Sequence, residues 1–111
     1  MTTLSYIPSP KNDKEYFEIS IEGIQFTVKY DYNERQDCWY LTLTQSTTDG
    51  NVNWLDSVRM NMGYKFGFNY VNFPITTGWL TLYSPQGYED DANKDNLGST
   101  LFLVYEVPDD D

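Results

Sequence analysis

Carboxylates are the abundant reactive groups in this chain, which has 17 acidic residues, one cysteine and no histidine. Without imidazole, the serine- and cysteine-type triads and the usual zinc sites are excluded. Two carboxylates at a suitable separation can still hydrolyse a glycosidic bond. The acids lie mainly in predicted turns and at the C-terminal end, where a solvated loop is the simpler interpretation. We therefore expect no catalytic residues and no enzyme activity.

The segment 91–96 spaces oxygen-bearing side chains as calcium-binding loops do, with Asp91, Asn93 and Asp95 at alternate positions. The standard loop then needs glycine at its sixth position and a bidentate glutamate at its twelfth. Asn96 and Phe102 stand at those positions. The pattern fails, so we expect no metal and no cofactor. A polar strand connection is favoured over a looser calcium site.

Two further segments are candidate interfaces, one aromatic and one acidic. The aromatic rings between positions 64 and 73 suit a core, a subunit contact or sugar stacking, because all three uses draw on amphipathic rings. Core or subunit contact is favoured over sugar. The candidate interface residues are Tyr64, Phe66, Phe68, Tyr70, Phe73, Tyr88, Glu89, Asp90 and Asp91.

The elements that position these segments follow a period of two. Phe17, Ile19 and Ile21 alternate with polar residues, and the same pattern recurs over 24–30 and 39–43. This spacing places one set of side chains on each face of a sheet. Strands are predicted over 16–22, 24–31, 38–45, 52–58, 78–83 and 99–107, with 64–70 a short strand or an aromatic loop. We predict an all-β fold, a small antiparallel β-barrel or sandwich of six to seven strands.

Turn residues and prolines predict the organisation of the chain. Glu22-Gly23 and Asp49-Gly50 indicate hairpins. Residues 1–14 are predicted to form an extended N-terminal arm, because Pro8 and Pro10 prevent regular pairing. Residues 15–108 form a single β domain, and 109–111 an acidic tail. The last strand is apolar on both faces from Leu101 to Tyr105, which predicts a central position in its sheet.

The net charge of −10 bears on possible partners. Repulsion from phosphates disfavours specific nucleic-acid binding and anionic membranes. Solubility explains such a charge in most small acidic proteins. Two more specific interpretations are a surface past which DNA slides and a decoy that imitates DNA. Cys38 is the single cysteine, so no internal disulfide is expected, and it is predicted to be a packed small residue.

Six elements follow one another in a recognisable order over about residues 16–107. They are the hairpin 17–31, the loop 32–35, the Trp-led strand 39–43, the Asp49-Gly50 turn, the strand 78–82 and the closing segment 97–105. This order resembles the baseplate plug family of contractile-tailed phages, described in a cyanophage. The resemblance implies a virion structural protein without catalysis, made in the host cytoplasm and located in the tail baseplate.

The resemblance also implies a position and partners. The chain would associate with the baseplate hub and tail-tube proteins at the tip of the tube, in several copies. It would close the tube until contraction releases the genome, so that DNA passes nearby without being specifically bound. Two alternatives stay open. A carbohydrate-binding module would need exposed rings from Trp54, Trp79 or the segment 64–73, and an acidic DNA-mimic inhibitor would need carboxylates arrayed on one face.

Overall fold

The computed structural model describes residues 2–67, 70 and 72–108. Its seven strands are β1 (Thr2–Tyr6), β2 (Lys14–Ile21), β3 (Ile24–Asn33), β4 (Cys38–Thr47), β5 (Gly50–Arg59), β6 (Trp79–Tyr83) and β7 (Phe102–Pro108). They form a smaller antiparallel sheet in the order β1-β7-β6 and a larger one in the order β2-β3-β4-β5. The predicted all-β antiparallel class and strand number are confirmed. Because the strands form two separate sheets, the architecture is sandwich-like rather than a closed barrel.

The larger sheet is a meander whose turns match the sequence. Glu22 and Gly23 have φ values of 54° and 77°. Positive φ at both central residues is the mark of a type I′ turn, which suits the twist of a two-residue hairpin. The turn fixes the β2–β3 register, so the inward residues of β3 (Phe26, Val28 and Tyr30) are fully buried.

The β4–β5 pair contains two irregularities that explain a break in the alternation. Leu43 pairs with Leu55 and Leu41 with Val58, so β5 has one residue more than β4 between these pairs. Ser57 takes the extra length with a φ of 52°, and its amide donates to Thr42 Oγ1 at 3.1 Å. This bulge, with a second register shift between Leu43 and Thr44, turns Leu55 into the core.

The smaller sheet confirms one prediction and corrects another. β7 is central, between β1 and β6, as its two apolar faces predicted. The N-terminal arm, however, is not free of regular pairing. Its residues Thr2–Tyr6 pair with β7, because Pro8 and Pro10 lie beyond the last paired residue and remove no donor from the ladder.

The core lies between the two sheets. The smaller sheet contributes inward leucines from β6 and β7, and the larger sheet contributes the inward residues of β3 and β4. The long connection from β5 to β6 joins the sheets and touches β6 through an isolated bridge between Phe66 and Leu80. The possible strand over 64–70 is thus reduced, among the described residues, to this one bridge.

Candidate interaction site

The predicted aromatic segment is divided between core and surface. Phe66 is fully buried and Phe73 is 8% exposed, whereas Tyr64 and Tyr70 are 52% and 46% exposed. Phe68 lies outside the described residues. The core interpretation therefore applies to Phe66 and Phe73, and the described rings of this segment that remain available to a partner are Tyr64 and Tyr70.

Close packing fixes the turn that separates these rings. Gly67 has a φ of 76°, and a Cβ added there would lie 2.5 Å from the Phe73 ring. Phe73 in turn packs edge-to-face on Trp54, with ring centres 5.8 Å apart. Only glycine fits this position, so the segment is anchored to β5 at its base.

The predicted acidic segment is exposed but tied down at both ends. Tyr88, Glu89, Asp90 and Asp91 are all exposed. Ser84 Oγ accepts a hydrogen bond from the Tyr88 amide, and Asp91 Oδ1 accepts one from the Met62 amide at 2.7 Å. The second bond places the end of the acidic segment beside the residues that precede Tyr64. The structure thus brings the start of the aromatic segment close to the acidic one.

Within the segment 91–96, the side-chain oxygens of Asn93 and Asn96 accept local amides. Asn93 Oδ1 accepts the Asp95 and Asn96 amides, and Asn96 Oδ1 accepts the Asn93 amide at 2.7 Å. The Asn93 carbonyl accepts the Trp39 indole N–H at 3.0 Å, which ties this connection to β4. Over residues 2–67, 70 and 72–108 there is no group of three or more acids or cysteines placed to hold a metal ion.

Glu22 joins the two sheets at the β2–β3 turn. Its carboxylate accepts the amides of Thr76, Thr77 and Gly78 at 3.0–3.1 Å and the hydroxyl of Tyr105. Partial burial acts to raise the pKa of Glu22, but these hydrogen bonds together outweigh it and hold the pKa below its ordinary value. Burial and the bond to Glu22 raise the pKa of Tyr105 to about 12. We call this arrangement the Glu22 latch.

Cys38 is buried, 2% exposed, at the first position of β4. Its Sγ lies 3.6 Å from Gln36 Oε1. The side chain is packed as a small residue, which confirms the sequence prediction.

One surface was not singled out in the sequence. The side chains of the smaller sheet that point away from the core form what we call the aromatic face. Its members are Leu4, Tyr6, Trp79, Thr81, Tyr83, Phe102, Val104 and Glu106, as the register of β1, β7 and β6 shows. The signal was present as the two apolar faces of β7, which had been interpreted only as a sign of central position.

The aromatic face is packed within itself. The Tyr6 ring meets Phe102 and Tyr83 edge-on, with ring centres 5.2 and 6.3 Å apart. Val104 is fully buried although it is not part of the core between the sheets. At the other end, Lys65 Nζ lies 3.9 Å from the centre of the Trp79 ring. The arrangement can bury apolar surface against a partner, and it contains no nucleophile–base pair.

The family model described as cyanophage baseplate Pam3 plug gp18 matches residues 4–108 of the chain. The chain belongs to this family. The match confirms the resemblance seen in the sequence and extends it into the N-terminal arm. It takes in both candidate segments, the Glu22 latch and the aromatic face. A plug of this family has a structural role in the phage tail baseplate, together with other virion components.

No curated protein matches the plug chain at a significant level. Within its described residues, no helix is long and apolar enough to cross a membrane.

Proposed function

We propose that this chain is a structural plug at the centre of the phage baseplate, bound to hub and tail-tube proteins at the tip of the tube. The observation that carries the proposal is the family match over nearly the whole chain. In this role the protein closes the tube until contraction and takes part in no reaction. It is present in several copies, as a closed ring or cap around the tube axis requires.

The fold supports a role based on contacts. Exposed tyrosines lie on β1, on β2, on the β5–β6 connection and on the acidic segment: Tyr6, Tyr16, Tyr64, Tyr70 and Tyr88. Tyrosine gives large contact area with little entropy loss and is enriched in interfaces. The predicted interface residues Tyr64, Tyr70, Tyr88, Glu89, Asp90 and Asp91 are all placed at the surface and stay part of this proposal.

The charge supports a position beside passing DNA. At −10, the chain repels phosphates and leaves the genome free to move. We expect a triple variant with Glu89, Asp90 and Asp91 each changed to Lys to assemble into baseplates but to slow DNA ejection. Ejection at the rate of the unmodified phage would contradict this part of the proposal.

Composition of the tail tests the proposal as a whole. Mass spectrometry of purified tails should find this chain at a fixed ratio to hub protein. Phage that lack the chain should leak DNA through their tails or fail to fill with DNA. The proposed function would be contradicted if the chain were absent from purified tails and bound none of the tail proteins when mixed with them.

The two alternative functions receive less support from the geometry. Trp79 is half-buried with Lys65 across its ring, and Trp54 packs on Phe73 and donates its indole N–H to Gln45 at 2.8 Å. Sugar stacking needs open ring faces. A DNA mimic needs carboxylates along one face, whereas Glu22 and Asp91 are engaged in holding loops. Binding on a glycan array, or competition with DNA for a nuclease, would restore either alternative.

A further inference from the structure

The two outward faces of this sandwich differ in chemistry. One row across the larger sheet is Glu18, Thr27, Thr44 and Asn53, and Thr44 Oγ1 donates to Asn53 Oδ1 at 2.7 Å. This is the polar outer face that a solvated antiparallel sheet normally shows. The corresponding row across the smaller sheet is Tyr6, Val104 and Thr81. Contact with water explains the polar side chains of the first row but not the apolar side chains, Tyr6 and Val104, of the second.

The most prominent ring of the aromatic face is Tyr6. Tyr6 is 52% exposed while its ring contacts Phe102 and Tyr83, so it stands above a layer that is already packed. The layer beneath is rigid, because Val104 is fully buried and Thr81 Oγ1 donates to the Tyr64 carbonyl at 2.8 Å. A rigid aromatic cluster that is partly exposed is the usual centre of a protein–protein interface.

Charge around the aromatic face points to the occupant. Glu106 lies within the face, in register with Trp79. The acidic segment follows Tyr83 after the turn over 84–87, and its Glu89, Asp90 and Asp91 are exposed. A second copy of this chain would bring the same acids and another net charge of −10 to the contact. At the Trp79 end, Lys65 offsets the charge of Glu106. The excess negative charge therefore lies on the side of the acidic segment, and a partner with an apolar centre and basic residues on that side is complementary.

We infer that the aromatic face is the surface by which the plug docks, and that its occupant is an apolar patch with a basic rim on another baseplate protein. The inference rests on the proposed function and adds to it the docking surface and the chemistry of the partner. Apolar burial around Tyr6 supplies affinity, and the acidic segment supplies orientation.

Binding to baseplates tests this inference. Baseplates purified from phage that lack the chain are mixed with purified wild-type protein, Tyr6→Ser, Tyr6→Phe or Tyr16→Ser, and the retained protein is measured. Tyr16 is the matched control, since it is 67% exposed on the polar outer face of the larger sheet. We expect Tyr6→Ser to bind at least about tenfold more weakly, with Tyr6→Phe and Tyr16→Ser within about threefold of wild type. Raising NaCl from about 50 to about 500 mM should weaken wild-type binding at least about tenfold.

The outcomes separate the inference from the function on which it rests. Wild-type protein that does not bind these baseplates contradicts the proposed function itself. If wild-type protein binds normally but Tyr6→Ser and Tyr16→Ser weaken binding equally, the aromatic face is not the docking surface, while the proposed function is unaffected. Salt-independent binding overturns the basic rim, and a dimer of the isolated chain that Tyr6→Ser dissociates makes a second copy the occupant. Thermal unfolding checks that each variant folds, and Tyr83→Ser replaces Tyr6→Ser if that variant does not.

Discussion

At the scale of single residues, the Glu22 latch shows how one carboxylate can hold two sheets together. Three amides and one hydroxyl converge on a side chain at a turn with positive φ. Sequence alone marks Glu22 as a turn residue and nothing more, because its donors lie more than fifty positions away. Such a contact depends on how the sheets pack, which local patterns do not encode.

We expect Glu22→Gln to lower the free energy of unfolding by about 1 kcal/mol at neutral pH, because hydrogen bonds to a charged acceptor are stronger than those to an amide. The folded pKa lies below the ordinary value of 4.5. The contribution is therefore full well above that pH and is lost as pH falls through the folded pKa. Chemical denaturation at several pH values measures the difference between the two proteins.

The matched control for the latch is Glu18→Gln, an exposed glutamate on β2, the strand that leads into the turn. It should change stability by less than about 0.5 kcal/mol. A loss of stability from Glu22→Gln that is as large at pH 3 as at pH 7 would show that shape, not charge, accounts for the effect.

Trp39 is a second single residue that contributes strongly to the stability of the fold. It is 5% exposed, packs against Tyr30 and Tyr32, and donates its indole N–H to Asn93. We expect Trp39→Ala to cost about 3–5 kcal/mol, from lost burial and an unpaired carbonyl. Trp39→Phe, which keeps most of the ring, should cost less. An unfolding free energy unchanged in Trp39→Ala would contradict an inward position.

At the scale of strands, regular alternation predicted most of the larger sheet, because period-two burial is a local property of the sequence. β2, β3 and β4 lie within a few residues of their predicted bounds. β1 was not predicted, since its five residues have little apolar pattern and owe their pairing to the exposed edge of β7. The inward turn of Leu55 likewise depends on a bulge whose position is set by the partner strand.

The close approach of β6 to β7 beside Gly78 leads to a prediction about stability at the scale of strands. A Cβ added at Gly78, the residue before β6, would lie 2.2 Å from the backbone oxygen of Glu106. The β7 backbone cannot move without disturbing both of its neighbours. We expect Gly78→Ala to cost about 2–3 kcal/mol by chemical denaturation, because the first pairs of β6 with β7 must separate.

Gly87→Ala is the comparison for this substitution. Gly87 has a φ of 81° and open space around its Cα, so only backbone strain opposes an added methyl group. That strain is worth about 1–2 kcal/mol. Equal costs at Gly78 and Gly87 would show that β6 adjusts freely and that the close approach to β7 does not limit it.

At the scale of the whole molecule, sequence composition predicted the acidic surface but not that the two sheets would have different outer faces, one polar and one aromatic. The two apolar faces of β7 were visible in the sequence, yet which of them meets the core depends on the register of a three-stranded sheet. The aromatic face therefore emerged only from the fold. The predicted interface residues Tyr64 and Tyr88 are exposed as surface contacts require, and whether they meet a partner stays a prediction.

The last prediction concerns the net charge of −10 on the whole chain. Compaction brings like charges together, so added salt should stabilise the folded state by screening them. We expect the midpoint of thermal unfolding to rise by several degrees between about 20 and about 500 mM NaCl. Calorimetry with CaCl₂ at matched ionic strength provides the control. If the segment 91–96 is only a connection held by its own hydrogen bonds, both salts act alike. A larger rise in millimolar calcium would instead identify a cation site there, while a midpoint that falls with NaCl would mean that attractive ion pairs outweigh the repulsion.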